Sequence, residues 1–572
     1  MMKRILSVAA TGAALALAAA PAARAQDGVV PAPATKLPLK HAPRPTTAAI
    51  TPADLMTRLY IFADDSMQGR EAGTIGNVKG TDYIASEVKR MGLVPAGDNG
   101  TYFQTIPFKT RAVDANSKVV AGGTTLAYGQ DWAVLGSSGV HKANLDVVFG
   151  GVLGTENLIS PEAAAGKLVV FNLANPAAMR ASPAMSAIAR SAAFVAVIAP
   201  PMYMQYFGRP SQFVDDPSAA APQQPTMMFM SAEGAAKLFE QPLTQLTPGA
   251  AGKATSVDVD INVTPVPYPA RNVVAILPGS DPRLKNEYVA IGGHNDHIGF
   301  NMHPVDHDSI RIWNHIVRPE GADDGGKQAT PAEQAEVNKQ LAEWRAAHPG
   351  TARLDSISNG ADDDGTGSVS VLEIAEKLAS LKPAPRRSIL FVWHVGEEKG
   401  LLGSAYFTDH PTVPRDSIVA QLNMDMVGRG DAWDETGRTK EGKPIHGNPD
   451  YLQLVGSRRL STELGDLIEK VNKDDHHNLD FDYSIDADGH PANIYCRSDH
   501  YEYARYGIPI TFFTTGLHSD YHQVTDEPEY IDYEHMARVD NLIEDVAVHV
   551  ANLDHRVVVD HPKPDPHGAC RQ

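Results

Sequence analysis

The stretch Ser388-Ile-Leu-Phe-Val-Trp-His-Val-Gly-Glu-Glu398 constrains this chain more than any other. Ile389 to Val395 is an unbroken apolar run rich in β-branched and aromatic residues, the pattern of a strand buried on both faces. A strand of that kind belongs inside a sheet covered by helices. The run stops at Gly396 and delivers two adjacent carboxylates, Glu397 and Glu398, at the mouth of the strand. Two acids placed there repel each other and lose hydration, so they require compensation. A metal ion supplies it: one carboxylate binds the ion, and its neighbour handles protons on a metal-activated water. A solvated loop with two surface acids is the competing reading, and the rest of the chain decides against it.

From Arg271 onward the same rhythm repeats. Val273–Leu277, Tyr288–Ile291, Ile418–Leu422 and Ile508–Phe513 are near-continuous apolar runs, while 369–381 and 539–553 carry apolar stripes at helical spacing. This predicts an α/β sandwich with a mostly parallel sheet. Several runs end in metal-ligand chemistry. The first of them at 288 leads into His294-Asn-Asp296-His297, the run at 418 into Asn423-Met-Asp425, and the run at 508 into a loop with His518, His522 and Asp526. An acidic, glycine-rich turn, Asn359-Gly-Ala-Asp-Asp-Asp-Gly-Thr-Gly367, lies just before an apolar-faced helix. Ligands of open α/β sheets bind beyond the carboxyl ends of the strands, where these residues collect.

Two zinc ions need histidine and carboxylate ligands and an open position for water. His294 with Asp425 is expected to hold one ion, Glu398 with His522 the other, and Asp362 to bridge them. Three ligand carboxylates against two dications leave a positive site, which favours hydroxide between the metals and lets Glu397 act as base and then acid. Asp296, two residues after His294, is expected to accept the ring N–H of that histidine and fix its tautomer.

His294-x-Asp296, Gly360-Ala-Asp-Asp-Asp-Gly-Thr-Gly367, Glu397-Glu398, Asn423-Met-Asp425 and His522-x-x-x-Asp526 together resemble the motif series of the M28 family of dizinc exopeptidases, over roughly residues 50–555. That family includes secreted leucyl aminopeptidases and glutamate carboxypeptidases. The resemblance implies a three-layer sandwich with a mixed, mostly parallel sheet, two Zn²⁺ ions and a peptide substrate. It also implies a cis peptide at Asp362–Asp363 and, at Tyr495, three residues before Ser498-Asp499-His500, a tyrosine that steadies the tetrahedral intermediate. Residues 141–260, where composition shifts to short strands and an Ala-rich helix, are similar to the protease-associated insert that many members carry.

The remaining organisation follows from composition. Met1-Met-Lys-Arg, an Ala/Leu-rich core and Ala23-Arg-Ala25 form a secretory signal pattern with cleavage expected after Ala25, which predicts a periplasmic or secreted protein. Residues 26–48, rich in Pro, Ala and Thr, are expected to be a disordered leader. The catalytic domain is expected over 49–140 and 261–555, interrupted by the insert, with a flexible tail at 556–572. A formal net charge of −19 argues against nucleic acid as a partner. The only two cysteines, Cys496 and Cys570, leave open whether they pair.

Other candidates are weaker. Gly321-Ala-Asp-Asp-Gly325 repeats part of the bridging motif, but a polar helix follows it, so Asp362 is preferred to Asp323. The segment 301–356, which holds His303 and His307, lengthens the gap before the bridging motif and is a candidate wall of the substrate pocket. His522 is preferred to His518 because Asp526 follows it. Arg429 and Arg497 lie close to ligand motifs and could clamp a terminal carboxylate, as a carboxypeptidase requires. An aminopeptidase is nonetheless the leading expectation, ahead of a carboxypeptidase, a glutaminyl cyclase-like transferase and a non-enzymatic receptor-like ectodomain.

Overall fold

The computed structural model describes residues 37–572 apart from 137, 174–182, 201–202, 205–206, 217–225, 351 and 430–449. The expected signal segment 1–25 and the first part of the expected leader lie outside the described residues. Residues 37–48 are held against the domain rather than free: Lys40 pairs with Asp64 at 2.9 Å and Thr46 donates to Glu376 at 2.7 Å.

One sheet of nine strands positions the site. In chain order they are β1 (Val94–Pro95), β2 (Phe103–Ile106), β3 (Ala270–Leu277), β4 (Tyr288–His294), β5 (Ser388–His394), β6 (Ile418–Met424), β7 (Tyr451–Val455), β8 (Asp480–Asp482) and β9 (Ile510–Thr514). The spatial order is β1-β3-β5-β4-β6-β9-β7-β8, with β2 also pairing to β3. The middle four, β5, β4, β6 and β9, run parallel, and antiparallel partners flank them. Their carboxyl ends therefore open on one edge.

Alternation along these strands explains their unbroken hydrophobicity. Ile389, Phe391 and Trp393 of β5 join one core, and Leu390 and Val392 join the other. Successive side chains point to opposite faces, and both faces are covered. The first core packs on α1 (Pro52–Phe62), α2 (Ile75–Arg90), α3 (Gly367–Ser380) and α4 (Tyr533–Asn552). Thr51 and Thr74 cap α1 and α2 with their hydroxyls, Asp532 caps α4 with its carboxylate, and Gly92 at φ +78° ends the turn after α2.

A second sheet of eight strands spans 118–259 and has its own two-sided core, with Val170 and Ala196 on one face and Val169 and Val197 on the other. It begins at Lys118, ahead of the expected boundary at 141, because Lys118–Ala121 and Thr124–Leu126 extend it beyond Ala251–Val259. In the segment 301–356, Gly299–Asp306 pairs with Leu354–Ser358, and helices His307–Val317 and Pro331–Ala347 lie between them. The expected flexible tail is instead tethered. Cys570 forms a disulfide with Cys496, and the Gln572 side chain accepts from Tyr495 N and donates to Ile485 O. No helix among the described residues is long and apolar enough to cross a membrane.

Candidate metal centre

The candidate ligands sit where the parallel strands end. His294 closes β4, Glu397 and Glu398 follow β5 after Gly396 at φ +74°, and Asp425 follows β6. His522 comes from the loop after β9, itself at φ +56°. Two groups of ligand atoms converge: His294, Asp363 and Asp425 in one, and His297, Asp363, Glu398 and His522 in the other.

Asp363 is the residue shared by both groups, which corrects the expectation for Asp362. Its Oδ1 lies 3.1 Å from His294 Nε2, and its Oδ2 lies 3.0 Å from His522 Nε2. The carboxylate thus faces both groups at once. Asp362 turns the other way: Oδ1 accepts from Gly428 N at 2.8 Å and from the Thr366 hydroxyl at 2.9 Å, while Oδ2 meets His518 Nε2 at 3.1 Å. Asp364 also faces away, accepting from His294 N and Gly367 N. The outer two acids of the triplet hold backbone, and the middle one enters the site. Asp526 reinforces this by accepting the N–H groups of Asp362 and Asp363. The cis peptide is Asp363–Asp364, one residue later than expected.

The other expected residues fall as follows. His294 Nε2 is 3.7 Å from Asp425 Oδ1 and 3.9 Å from Glu397 Oε2. Glu398 Oε2 is 2.9 Å from His522 Nε2. Glu397 belongs to neither ligand group and borders the cleft beside them. Asp296 acts differently from expectation. His294 Nδ1 lies 3.0 Å from the backbone carbonyl of Asp296, whereas the carboxylate is 3.7 Å away and accepts from the N–H of Gly396 and Glu397 at 2.7 and 3.2 Å. Asp296 therefore steadies the turn that carries the two glutamates. Tyr495 is not among the residues bordering the cleft. Its ring packs under the Arg459 guanidinium, 4.6 Å from the centroid, and edge-on to Tyr501. The tyrosine at the cleft is Tyr521, stacked on His522 with centroids 4.0 Å apart.

Several contributors escaped the sequence reading. His297 is fully buried, with Nδ1 2.7 Å from Glu398 Oε1 and no properly directed hydrogen bond at either ring nitrogen. Its adjacency to Asp296 was the available signal. Ser498 donates to Asp425 Oδ2 at 2.7 Å. Arg70, fully buried, donates to the carbonyls of Asn359 and Gly360 and so anchors the strand of chain entering the aspartate triplet.

Electrostatics fit a cation-binding centre. Burial pushes the Glu397 carboxyl well above its ordinary value, and Asp425 and Glu398 add to the rise against the pull of His294. Burial likewise raises Asp296 to about 7. For Glu398 burial acts upward too, but His522 and His297 together draw the group down to about 2. Four carboxylates (Asp363, Glu397, Glu398 and Asp425) converge with histidines as their close counter-groups. His294 Nε2, Asp363 Oδ2 and Glu398 Oε1 are buried without a directed hydrogen bond. Orphaned buried donors and acceptors of this kind demand a partner. Histidine and carboxylate oxygen in this combination suit zinc.

Comparison with known proteins agrees with the fold. Residues 272–547 match the family described as Peptidase family M28. Leupeptin-inactivating enzyme 1 of Streptomyces exfoliatus is 28% identical over 178 residues, covering 30% of this chain and 34% of its own. Leucine aminopeptidase 1 of Paracoccidioides brasiliensis (strain Pb03) is 32% identical over 186 residues, covering 31% of this chain and 43% of its own. The chain thus spans less than half the length of these curated relatives. An aminopeptidase from Aneurinibacillus sp. strain AM-1 shares the fold with a TM-score of 0.50 at 15% identity, covering 90% of this chain and 97% of that one.

Proposed function

On the premise that the chain belongs to peptidase family M28 across residues 272–547, we propose that it is an exported aminopeptidase that works with two zinc ions. His294 and Asp425 would hold one ion, Glu398 and His522 the other, and Asp363 would be shared between them. Zinc bound there would supply Lewis-acid polarisation of the scissile carbonyl and a lowered pKa for a water. Glu397 takes a proton from the attacking water and returns it to the leaving amine nitrogen. Asp296, through the N–H groups of Gly396 and Glu397, keeps that carboxylate aimed at the cleft.

The observation that carries this reading is the Asp363 carboxylate, with one oxygen near His294 and the other near His522. The choice of the amino end rests on the two arginines that could clamp a carboxylate. Arg497 is engaged bidentately by Asp323 at 2.5 and 3.0 Å, and Arg429 meets the buried Asp520 at 3.2 Å. Both guanidiniums are compensated by acids, so neither is positioned as an uncommitted carboxylate clamp. Met426, Ile494, Phe512 and Leu517 line the cleft beside the candidate ligands, which suits an apolar terminal side chain.

Paired substrates test the reading: leucine anilide with a free or an acetylated amino group, and a short peptide with a free or an amidated carboxyl end. Activity is expected to vanish on acetylation and to survive amidation. The opposite pattern would make the protein a carboxypeptidase. Export is checked by the mass of the mature protein, expected to begin at Gln26.

A further inference from the structure

Given the aminopeptidase function proposed above, we propose that Asp323, carried on the segment 301–356, sets the side-chain preference of the cleft by neutralising Arg497. Arg497 is the one basic side chain among the described residues that border the cleft. The same cleft is lined by the apolar Met426, Ile485, Ile494, Phe512 and Leu517, with the candidate site acids Asp363, Glu397 and Asp425. An uncompensated guanidinium in such a wall would attract an acidic substrate side chain and repel a basic one. It is not uncompensated. Asp323 meets it with two oxygens, Oδ2 2.5 Å from Nη1 and Oδ1 3.0 Å from Nη2. The Tyr521 hydroxyl lies 3.4 Å from Nη2.

Asp323 reaches this place because its turn is seated on the loop that carries His522. Ala322 N donates to Tyr521 O at 3.1 Å. Gly321 has φ +55°, and a side chain there would meet Tyr521 O at 2.6 Å and His518 O at 2.8 Å. The turn fits only with glycine at that position, which fixes the carboxylate two residues on. Asp323 is thus a specificity-determining residue outside the ligand set. With that guanidinium paired, the one basic side chain lining the cleft among the described residues is not offered to an acidic terminal residue, so apolar ones are favoured.

The test compares kcat/KM for the α-anilides of L-leucine and L-glutamate in the zinc-loaded full chain. Wild type is expected to prefer leucine. Asp323→Asn and Asp323→Ala are expected to raise the glutamyl-to-leucyl ratio by roughly tenfold or more, through a lower KM for the glutamyl substrate, as a released guanidinium bonds the substrate carboxylate. Adding Arg497→Gln to Asp323→Asn should abolish the gain. An unchanged ratio in both single variants overturns the assignment. So does an equal loss on both substrates accompanied by loss of zinc, because that is the mark of a purely structural turn. Zinc-loaded wild type that cleaves no aminoacyl anilide would instead defeat the aminopeptidase reading, and the assignment to Asp323 with it.

Discussion

Glu397→Gln is expected to separate proton transfer from metal binding in the proposed site. The side chain lies outside both ligand groups, with Oε2 3.9 Å from His294 Nε2, while its neighbour Glu398 is 2.9 Å from His522 Nε2. Glutamine keeps the size and the backbone bond to Asp296 but cannot accept a proton. Loss of a positioned general base costs roughly two to four orders of magnitude in rate, or about 3–5 kcal/mol at about 1.4 kcal/mol per decade. The zinc content should stay at the wild-type value. Glu398→Gln replaces a charged candidate ligand and should instead release metal. The assay is kcat on leucine anilide beside elemental analysis of the same dialysed samples. Metal loss in Glu397→Gln with retention in Glu398→Gln would refute the assignment of base and ligand.

Other consequences follow from particular side chains. Asp363→Asn should weaken zinc binding by about a hundredfold or more, whereas Asp362→Asn, which acts through backbone and His518, should cost roughly tenfold, as outer contacts do; competition with a chelating dye measures both, and equal losses would contradict the shared role of Asp363. His297→Ala should lower affinity for one of the two ions more than the other, read as a biphasic chelator titration where wild type is closer to a single phase. His500, fully buried and stacked on Phe512, is held by burial down to about 3, below its ordinary 6.5. The folded state therefore excludes a proton that the unfolded chain binds below 6.5. Its contribution is whole above that pH and is lost as pH falls toward 3, at up to about 1.4 kcal/mol per pH unit. His500→Gln should flatten the acid limb of denaturant stability between those limits, and an unchanged slope would contradict this.

The sheet was legible because burial on both faces demands apolar side chains at every position, which is why β3, β4, β5, β6 and β9 stand out as runs. The candidate ligands at their ends were legible for the same reason, since polar residues directly after such runs have few other uses. What failed was local orientation. Three consecutive aspartates at 362–364 are indistinguishable by type, and which one enters the site depends on the acceptors that Gly428, Thr366 and His294 require. Asp296 was identified as a supporting residue, but its carbonyl rather than its carboxylate faces His294. Tyr495 was placed by offset alone, and the packing of Arg459 and Tyr501 directs its ring elsewhere. The start of the second sheet at Lys118 and the tethering of Cys570 to Cys496 depend on long-range pairing that periodicity does not encode. The decoy at Asp323 repeats the acidic, glycine-flanked motif, yet it docks on the His522 loop instead of on the sheet.

The central claim is that one carboxylate, Asp363, joins two zinc ions at the mouth of β4, β5 and β6. Anomalous diffraction at the zinc edge from crystals of the purified protein tests it most directly. The account predicts two peaks about 3.5–4 Å apart, as in paired-metal hydrolases, one beside His294 and Asp425 and the other beside Glu398 and His522, with Asp363 between them. A single peak, or two peaks that Asp363 does not bridge, would contradict it.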